Sequence, residues 1–276
     1  KGIFVSPVLG NSPDMDRLTE ICEKHNIKLI GDSCDSLGTK WDGKNLGEYY
    51  VAWSSSFYPA HHISTGEGGI VCTNIEGLKK EFTSFAWWGR DCYCVGPANL
   101  LSCGTCGKRF DNWLEDYDGI IDHKYVFTNM GYNLKPMDLQ GSIGLEQLKK
   151  FEGIDTQRKH SKITIESILL KHVDGLSGVK MLEKADTCWF GTPFICDDKI
   201  LKDKLISFLE ENMIQTRNYF AGNILIHPGY KHLDDFTKYP NANTVLDKVF
   251  FLGAAPHYDD GVFDYIEKTF EEKWVN

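Results

Sequence analysis

The sequence predicts an α/β fold with a parallel sheet near its N-terminus. Gly2 to Val8 is an apolar, β-branched run, Asp14 to His25 has apolar residues at helical spacing, and Ile27 to Ile30 indicates a second strand. Strand, helix and strand at this spacing form a right-handed parallel crossover. Because such sheets carry their sites at the carboxyl ends of the strands, the polar residues after Ile30 are candidates for a functional site.

The later part of the chain alternates helix and strand signals in a pattern typical of an α+β unit. A turn and a long helix are predicted from Gly131 onward, and the helix is predicted to continue past Gly153. The remaining predicted elements are a strand from Thr187 to Cys196, a helix from Leu201 to Glu211, a strand from Ile214 to Phe220 and a helix from Val262 to Trp274. We therefore expect a second, smaller unit after the parallel sheet.

The composition disfavours several classes of protein. The chain has 276 residues, of which 42% are hydrophobic and 13% aromatic, enough for one large or two modest packed domains. Its net charge of -9 disfavours nucleic acids and anionic membranes as partners. No apolar run approaches membrane-spanning length, and the first residues carry no signal-peptide pattern. We therefore expect a cytoplasmic protein with no nucleic-acid or membrane partner.

The segment from Ser54 to Gly69, SSSFYPAHHISTGEGG, has the pattern of a strand end that opens into a functional loop. Its glycines permit backbone angles that other residues resist, and a strand-like run from Gly69 to Thr73 follows. His61 and His62 are therefore expected on a loop held between two strands. From these residues alone, a hairpin with two solvated or hydrogen-bonded histidines explains the pattern equally well.

The order of residues in this loop resembles the cofactor-lysine segment of the sugar-nucleotide aminotransferases, the DegT/DnrJ/EryC1/StrS family. That segment has the form Ser-Phe-x-x-x-Lys-x-Ile-(Ser/Thr) followed by Glu-Gly-Gly, and this chain matches it at Ser56, Phe57, Ile63, Ser64, Glu67, Gly68 and Gly69. The resemblance implies the aspartate-aminotransferase fold, fold type I of the pyridoxal phosphate enzymes. It implies a large cofactor-binding α/β domain over residues 1–153 and a small α+β domain over residues 154–276. It also implies that the chain is truncated and begins inside the large domain of a longer enzyme.

The lysine position of that segment holds His61 in this chain. An imidazole can move protons but does not hold an aldehyde as a stable imine, so a routine aminotransferase is not expected. The exchange resembles the 3-dehydrase branch of the family, which uses pyridoxamine 5′-phosphate on a 4-keto-6-deoxy sugar nucleotide. By that resemblance, His61 is the catalytic base.

Further residues match binding positions of the family. By resemblance Asp32 lies beside the pyridine nitrogen, Ser56 bonds the cofactor phosphate, and Asn133, in a Gly-Tyr-Asn motif, reaches the phosphate of the partner subunit. The last role implies a homodimer. Each also has a structural alternative, since an Asp after a strand caps turns, a strand-end Ser bonds backbone and an Asn suits a turn. Asp35 occupies a position near the cofactor ring hydroxyl, and Arg217 is either a ligand for a substrate phosphate or a surface arginine.

The nine cysteines indicate free thiols or metal ligation, because a chain without an export signal is not expected to form a disulfide framework. Cys22, Cys72, Cys188 and Cys196 lie in apolar patterns. We expect these four to be buried small hydrophobic residues.

Four more cysteines crowd into one loop, as Cys92-Tyr-Cys94 and Cys103-Gly-Thr-Cys106. Zinc fits this spacing at least as well as an iron–sulfur cluster, and unliganded thiols are the remaining alternative. The cluster-bearing 3-dehydrases use one cysteine after the cofactor aspartate and three from this loop. That resemblance implies a [2Fe-2S] cluster, with Cys103 as the alternative fourth ligand. The implied ligands are Cys34, Cys92, Cys94 and Cys106.

The resemblance implies a complete reaction. The substrate is a CDP-linked 4-keto-6-deoxy sugar that loses its C3 hydroxyl, and a flavin/iron–sulfur reductase supplies electrons through the cluster. The product is a 3,6-dideoxysugar for lipopolysaccharide. Two alternatives stay open. A cluster-free 3-dehydratase of a GDP-linked sugar has no use for the cysteine loop, and a zinc-stabilised homologue without turnover has no use for the cofactor.

Overall fold

The N-terminal half forms a four-stranded sheet in the computed structural model, which describes residues 1–92, 110–111 and 114–275. The elements of this half are β1 (Gly2–Val5), α1 (Met15–Lys24), β2 (Lys28–Asp32), β3 (Lys40–Trp41), β4 (Lys44–Asn45), β5 (Ala52–Ser56), β6 (Gly69–Thr73) and α2 (Glu76–Ala86). The strand order is β1-β2-β5-β6, in which the first three run parallel and β6 is antiparallel to β5. The predicted strand, helix and strand crossover is confirmed.

The crossover helix α1 is set by local signals. Asp14 caps its N-terminus by accepting a hydrogen bond from the backbone N–H of Arg17 at 3.0 Å. Met15 and Cys22 form its buried face and belong to the same core cluster as Leu29 of β2. This packing fixes β2 beside β1, so the polar residues after β2 emerge at the edge of the sheet.

The second half is built on a 35-residue helix, α3 (Asp138–His172), and a second sheet. The other elements are β7 (Leu176–Gly178), β8 (Ala185–Asp186), β9 (Gly191–Cys196), α4 (Lys199–Glu211), β10 (Thr216–Asn218), α5 (Pro240–Lys248), β11 (Val249–Gly253) and α6 (Asp260–Lys273). This sheet has the antiparallel order β10-β11-β9-β7. Phe194, Phe250 and Phe270 are fully buried in its core, where α3, α4 and α6 pack. The predicted α+β character of this half is confirmed.

Two features connect the halves. The short strand β3 pairs with both β4 and β8, so Trp41 lies beside Ala185. The helix α3 runs without interruption through residue 153, where the resemblance divides the chain, and that division stays a prediction.

Within the described ranges, no helix is both long and apolar enough to cross a bilayer.

Three strands are shorter in the structure than in the sequence pattern. β1 ends at Val5 instead of Val8, β9 begins at Gly191 instead of Thr187, and β10 covers only Thr216–Asn218. The residues before β9 bond elsewhere: the Cys188 N–H donates to the Thr39 hydroxyl, and the Phe190 N–H donates to the Leu9 carbonyl. A local pattern shows which residues favour an extended backbone, but it does not show which partner takes their hydrogen bonds.

The isolated cysteines partly match the prediction. Cys22, Cys188 and Cys196 are buried, as expected. Cys72 is half-buried, because it lies on β6 at the edge of the first sheet. The prediction of burial was wrong for this residue.

Candidate active site

The carboxyl ends of β2 and β5 meet at one edge of the first sheet. Asp32 lies opposite Ser54 in the parallel register, and the Ser33 N–H donates to the Ser54 carbonyl at 2.7 Å. From β5 the chain enters the loop that carries His61 and returns through β6. The polar residues after β2 and the predicted cofactor loop therefore share this edge.

Cys34 contacts both Asp32 and Ser56. Asp32 Oδ1 accepts a hydrogen bond from the backbone N–H of Cys34 at 3.0 Å, so the turn-capping role foreseen as an alternative is present. The Cys34 thiol lies within hydrogen-bonding reach of the Asp32 carboxylate and the Ser56 backbone. Burial, followed by the hydrogen bond and the charge of Asp32, raises the pKa of this thiol to about 12. Cys34 therefore keeps its proton at neutral pH unless a metal replaces it.

Ser56 lines a groove, whereas Asn133 lies outside it on the surface. The Ser56 hydroxyl accepts the backbone N–H of Tyr58 at 3.1 Å and keeps its own hydrogen to donate. The groove has a volume of about 880 Å³ and is also lined by Trp87 and Lys135. Asn133 is exposed, and its backbone forms an isolated antiparallel bridge with Trp87 at the border of this groove.

His61 faces the carboxylate of Asp35. Its Nε2 lies 3.8 Å from Asp35 Oδ1, a charge contact rather than a hydrogen bond. Asp35 is buried and its Oδ2 accepts the Leu9 N–H at 3.3 Å; burial raises the pKa of this carboxyl, while Leu9 and His61 oppose the rise. His61 Nδ1 is buried and has no hydrogen-bond partner among the described residues. The ring of Phe190 packs beside the imidazole, with 5.7 Å between centroids.

His62, to which the sequence pattern assigned no role, is a buried structural residue. It is 3% exposed, and its Nε2 lies 2.9 Å from the Cys188 carbonyl oxygen. Because a carbonyl only accepts, this contact requires the hydrogen on Nε2. Burial, followed by the positive charge of Arg158, lowers the pKa of His62 to about 4. His62 is therefore neutral at physiological pH and ties the loop to the segment before β9.

We expect acid to destabilise the protein through His62. The imidazole titrates near 6.5 when unfolded and near 4 when folded, so between these values the unfolded state binds more protons and stability falls as the pH falls. The loss of folding free energy due to His62 is about 3 kcal/mol. His62→Gln keeps a donor for Cys188 but cannot titrate. Urea denaturation at pH 7 and pH 4 should therefore show a smaller loss for His62→Gln than for wild type. The exposed control His232→Gln should lose as much as wild type, and equal losses for all three proteins would contradict the prediction.

Arg158 is a second residue that sequence reasoning missed. It lies on α3, is 5% exposed, and donates from Nη2 to the His61 carbonyl at 3.5 Å. The sequence marks Arg158 only as a cation within the helical pattern that leads to Ile165. Helical spacing alone does not separate a buried arginine from a solvated one.

A cavity of about 790 Å³ lies on the other side of the loop. It is lined by Ala60 next to His61, by Phe190 and by Arg217 of β10. Arg217 is exposed, and its Nη1 donates to the adjacent Thr216 carbonyl at 3.0 Å. Its role toward a substrate phosphate stays a prediction.

Two of the predicted metal ligands lie in the described part of the chain. Cys34 and Cys92 are half-buried and outside any disulfide. Cys94, Cys106 and the alternative ligand Cys103 lie outside the described residues. The cysteine ligand set therefore stays a prediction.

Comparison with known proteins finds similar sequences. A model of the DegT/DnrJ/EryC1/StrS aminotransferase family matches residues 1–271. The lipopolysaccharide biosynthesis protein RfbH of Salmonella typhimurium is 37% identical over 279 residues, which cover 99% of this chain and 62% of that protein. The dTDP-4-dehydro-2,6-dideoxy-D-glucose 3-dehydratase of Saccharopolyspora spinosa is 34% identical over 285 residues, covering 99% and 59%. The chain spans about three fifths of the length of these relatives.

The fold is also found among solved structures. One of these is a histidine-to-asparagine mutant of GDP-4-keto-6-deoxymannose-3-dehydratase with bound GDP-perosamine. It matches with a TM-score of 0.78 and 24% identity, covering 98% of this chain and 67% of that one. The predicted fold, that of the fold type I aminotransferases, is confirmed.

Proposed function

The chain belongs to the DegT/DnrJ/EryC1/StrS aminotransferase family, and from this premise we propose that it is part of a pyridoxamine phosphate-dependent 3-dehydrase of CDP-4-keto-6-deoxyglucose. The observation that carries the proposal is the contact of His61, at the family's lysine position, with the buried Asp35. One relative is named for lipopolysaccharide biosynthesis and another as a 3-dehydratase of a nucleotide-linked deoxysugar. Both names support a role in deoxysugar synthesis.

His61 is placed to move a proton. A hydrogen on Nε2 is favoured by the Asp35 carboxylate, 3.8 Å away, and this leaves the lone pair on Nδ1, which no described residue uses. Uptake of a proton at Nδ1 forms an imidazolium that the charge of Asp35 attracts. The ring of Phe190 packs beside the imidazole, with 5.7 Å between centroids. The pair therefore supplies the general base that the reaction needs.

The residues around His61 fit pyridoxamine phosphate. When bound, this cofactor supplies an amine for the sugar's keto carbon and a ring that takes up electrons. Asp32 accepts hydrogen bonds from the backbone N–H and the thiol of Cys34, and its carboxylate has further lone pairs for the protonated pyridine nitrogen. Ser56 keeps a hydroxyl hydrogen for the phosphate. The orphaned Nδ1 of His61 is a buried polar atom for which a ligand is the natural partner.

Asn133 acts across a subunit interface in this proposal. It is exposed at the border of the groove that Ser56 lines. The first half of α3 exposes Leu139, Leu145 and Leu148, which are 66%, 64% and 58% accessible. Because exposed apolar patches mark association sites, we propose a homodimer in which Asn133 completes the phosphate site of the partner subunit.

The [2Fe-2S] cluster of the proposal is bound by cysteines 34, 92, 94 and 106. Cys34 and Cys92 are thiols outside any disulfide, and soft thiolates are the donors that such clusters use. When bound, the cluster relays single electrons from a flavin/iron–sulfur reductase. Because the Cys34 thiol contacts Asp32, a metal held by this sulfur would be close to the residue that would hold the cofactor ring.

A cluster-free 3-dehydratase of a GDP-linked sugar is the second candidate. The observation in its favour is that the contact between His61 and Asp35 involves no cysteine, so the proposed base does not depend on a cluster. Such an enzyme regenerates its cofactor with glutamate and needs no reductase.

The experiment that tests the function uses the full-length protein, purified without oxygen. We expect iron with equimolar sulfide, an electron-spin-resonance signal after one-electron reduction, and a dimer by light scattering. The enzyme loaded with pyridoxamine phosphate should remove the C3 hydroxyl of CDP-4-keto-6-deoxyglucose, and it should complete the deoxygenation only with a reductase present.

The other outcomes separate the alternatives. Absence of metal together with glutamate-dependent turnover of a GDP-linked sugar would replace the proposal with the second candidate. Zinc without the absorbance of a vitamin B6 cofactor would indicate a zinc-stabilised homologue without turnover.

A further inference from the structure

Arg158 is buried, yet its guanidinium bonds only main-chain carbonyl oxygens among the contacts that the structure shows. Nη1 donates to the carbonyls of Trp189, Phe190 and Ala254 at 3.4, 3.2 and 3.3 Å. Nη2 donates to the His61 carbonyl at 3.5 Å. A buried guanidinium is costly to desolvate, and these carbonyl partners offset part of that cost.

The four carbonyls belong to three separate segments of the chain. His61 lies on the loop after β5, residues 189–190 precede β9, and Ala254 follows β11. The planar guanidinium of an arginine spreads five N–H donors over three nitrogens and can bond carbonyls that lie apart, whereas a lysine has its three donors on a single nitrogen. Arg158 therefore joins the first sheet's loop to both central strands of the second sheet.

The segment before β9 contacts the histidine loop independently of Arg158. The Phe190 ring packs on the His61 ring, and the Cys188 carbonyl accepts the hydrogen bond from His62. The guanidinium carbon of Arg158 also lies 5.8 Å from the centroid of the Phe190 ring. The guanidinium thus bonds both the loop and the surface on which the loop packs.

We infer that Arg158 is a positioning residue, which fixes the main chain of His61 against residues 189–190 so that the imidazole stays beside Asp35. The consequence for turnover rests on the proposed function, but the positioning itself does not. The positioning role predicts that the loop after β5 loosens when the guanidinium is removed, whatever reaction the site performs.

The test compares Arg158→Ala, Arg158→Lys and the exposed control Arg17→Ala in the full-length protein. Hydrogen–deuterium exchange of the peptide around residues 58–65 should rise at least about tenfold in Arg158→Ala and less in Arg158→Lys. Exchange in β2 should match that of wild type. Ethylguanidinium should restore slow exchange, because Arg158 lines the 790 Å³ cavity through which the ion can enter. Ethylammonium should not restore it.

Turnover is the second readout of the positioning role of Arg158. With the loop loosened, kcat should fall about 10- to 100-fold at nearly unchanged KM, and ethylguanidinium should recover it. Wild-type exchange around residues 58–65 in both Arg158 variants would overturn the inference, as would equal rescue by ethylammonium. If Arg158→Ala does not fold, the exchange and turnover of Arg158→Lys are compared with those of wild type and Arg17→Ala. Loosened exchange with wild-type turnover would uphold the positioning and overturn the proposed role of His61.

Discussion

His61→Asn should lower turnover by a factor of about 10² to 10⁴, the usual contribution of a positioned general base. Asparagine fills part of the volume of the imidazole and keeps a polar side chain beside Asp35, but it cannot take up a proton. The direct measurement is exchange of solvent deuterium into the C4′ position of bound pyridoxamine phosphate. This exchange should be lost together with turnover, while the cofactor remains bound by Asp32 and Ser56.

The matched control for this variant is His232→Asn, which makes the same change at an exposed histidine outside the site. It should exchange and turn over as wild type does. Normal deuterium exchange in His61→Asn would show that another group is the base. Loss of cofactor binding in His61→Asn would instead point to a binding role for His61.

Cys34→Ser should remove most of the iron and sulfide and abolish reductase-coupled turnover. A serine hydroxyl is a hard, weakly acidic group, whereas iron–sulfur clusters are held mainly by soft thiolate donors. The absorbance of the B6 cofactor should persist, because Asp32 and Ser56 are unchanged. Metal and sulfide analysis on the same sample as the absorbance spectrum checks both halves of the prediction.

Cys72→Ser is the control, because Cys72 is also a half-buried thiol but lies on β6 and is not a predicted ligand. It should keep full iron and sulfide. If Cys34→Ser keeps as much metal and as much coupled turnover as Cys72→Ser, then Cys34 is not a ligand and the cluster assignment fails.

The elements that the sequence predicts well are those stabilised by neighbouring residues. Asp14 caps α1 by accepting a hydrogen bond from the N–H of Arg17, three residues later in the chain, and β6 covers the predicted Gly69–Thr73. In these cases the stabilising contacts lie within one helical turn or along one strand, so the local pattern contains them.

The parts that sequence reasoning missed depend on contacts between distant residues. His62 and its partner Cys188 are 126 residues apart, and Arg158 and its partner Ala254 are 96 apart. No period or spacing marks such a pair, and a single histidine or arginine has the same local pattern when it is buried as when it is solvated. The order of residues around His61 suggested its proposed role only through resemblance to a family, whereas its contact with Asp35 required the fold.

The hydrogen bond between the Cys34 thiol and Asp32 links the filling of the two proposed sites. A sulfur that binds metal gives up its hydrogen and no longer donates to the carboxylate. In the proposed enzyme, a metal on Cys34 would therefore remove a hydrogen bond from the carboxylate that faces the cofactor ring, and by thermodynamic reciprocity a bound cofactor would change the affinity of the sulfur for metal. Each proposed group would therefore be held with an affinity that depends on whether the other is bound.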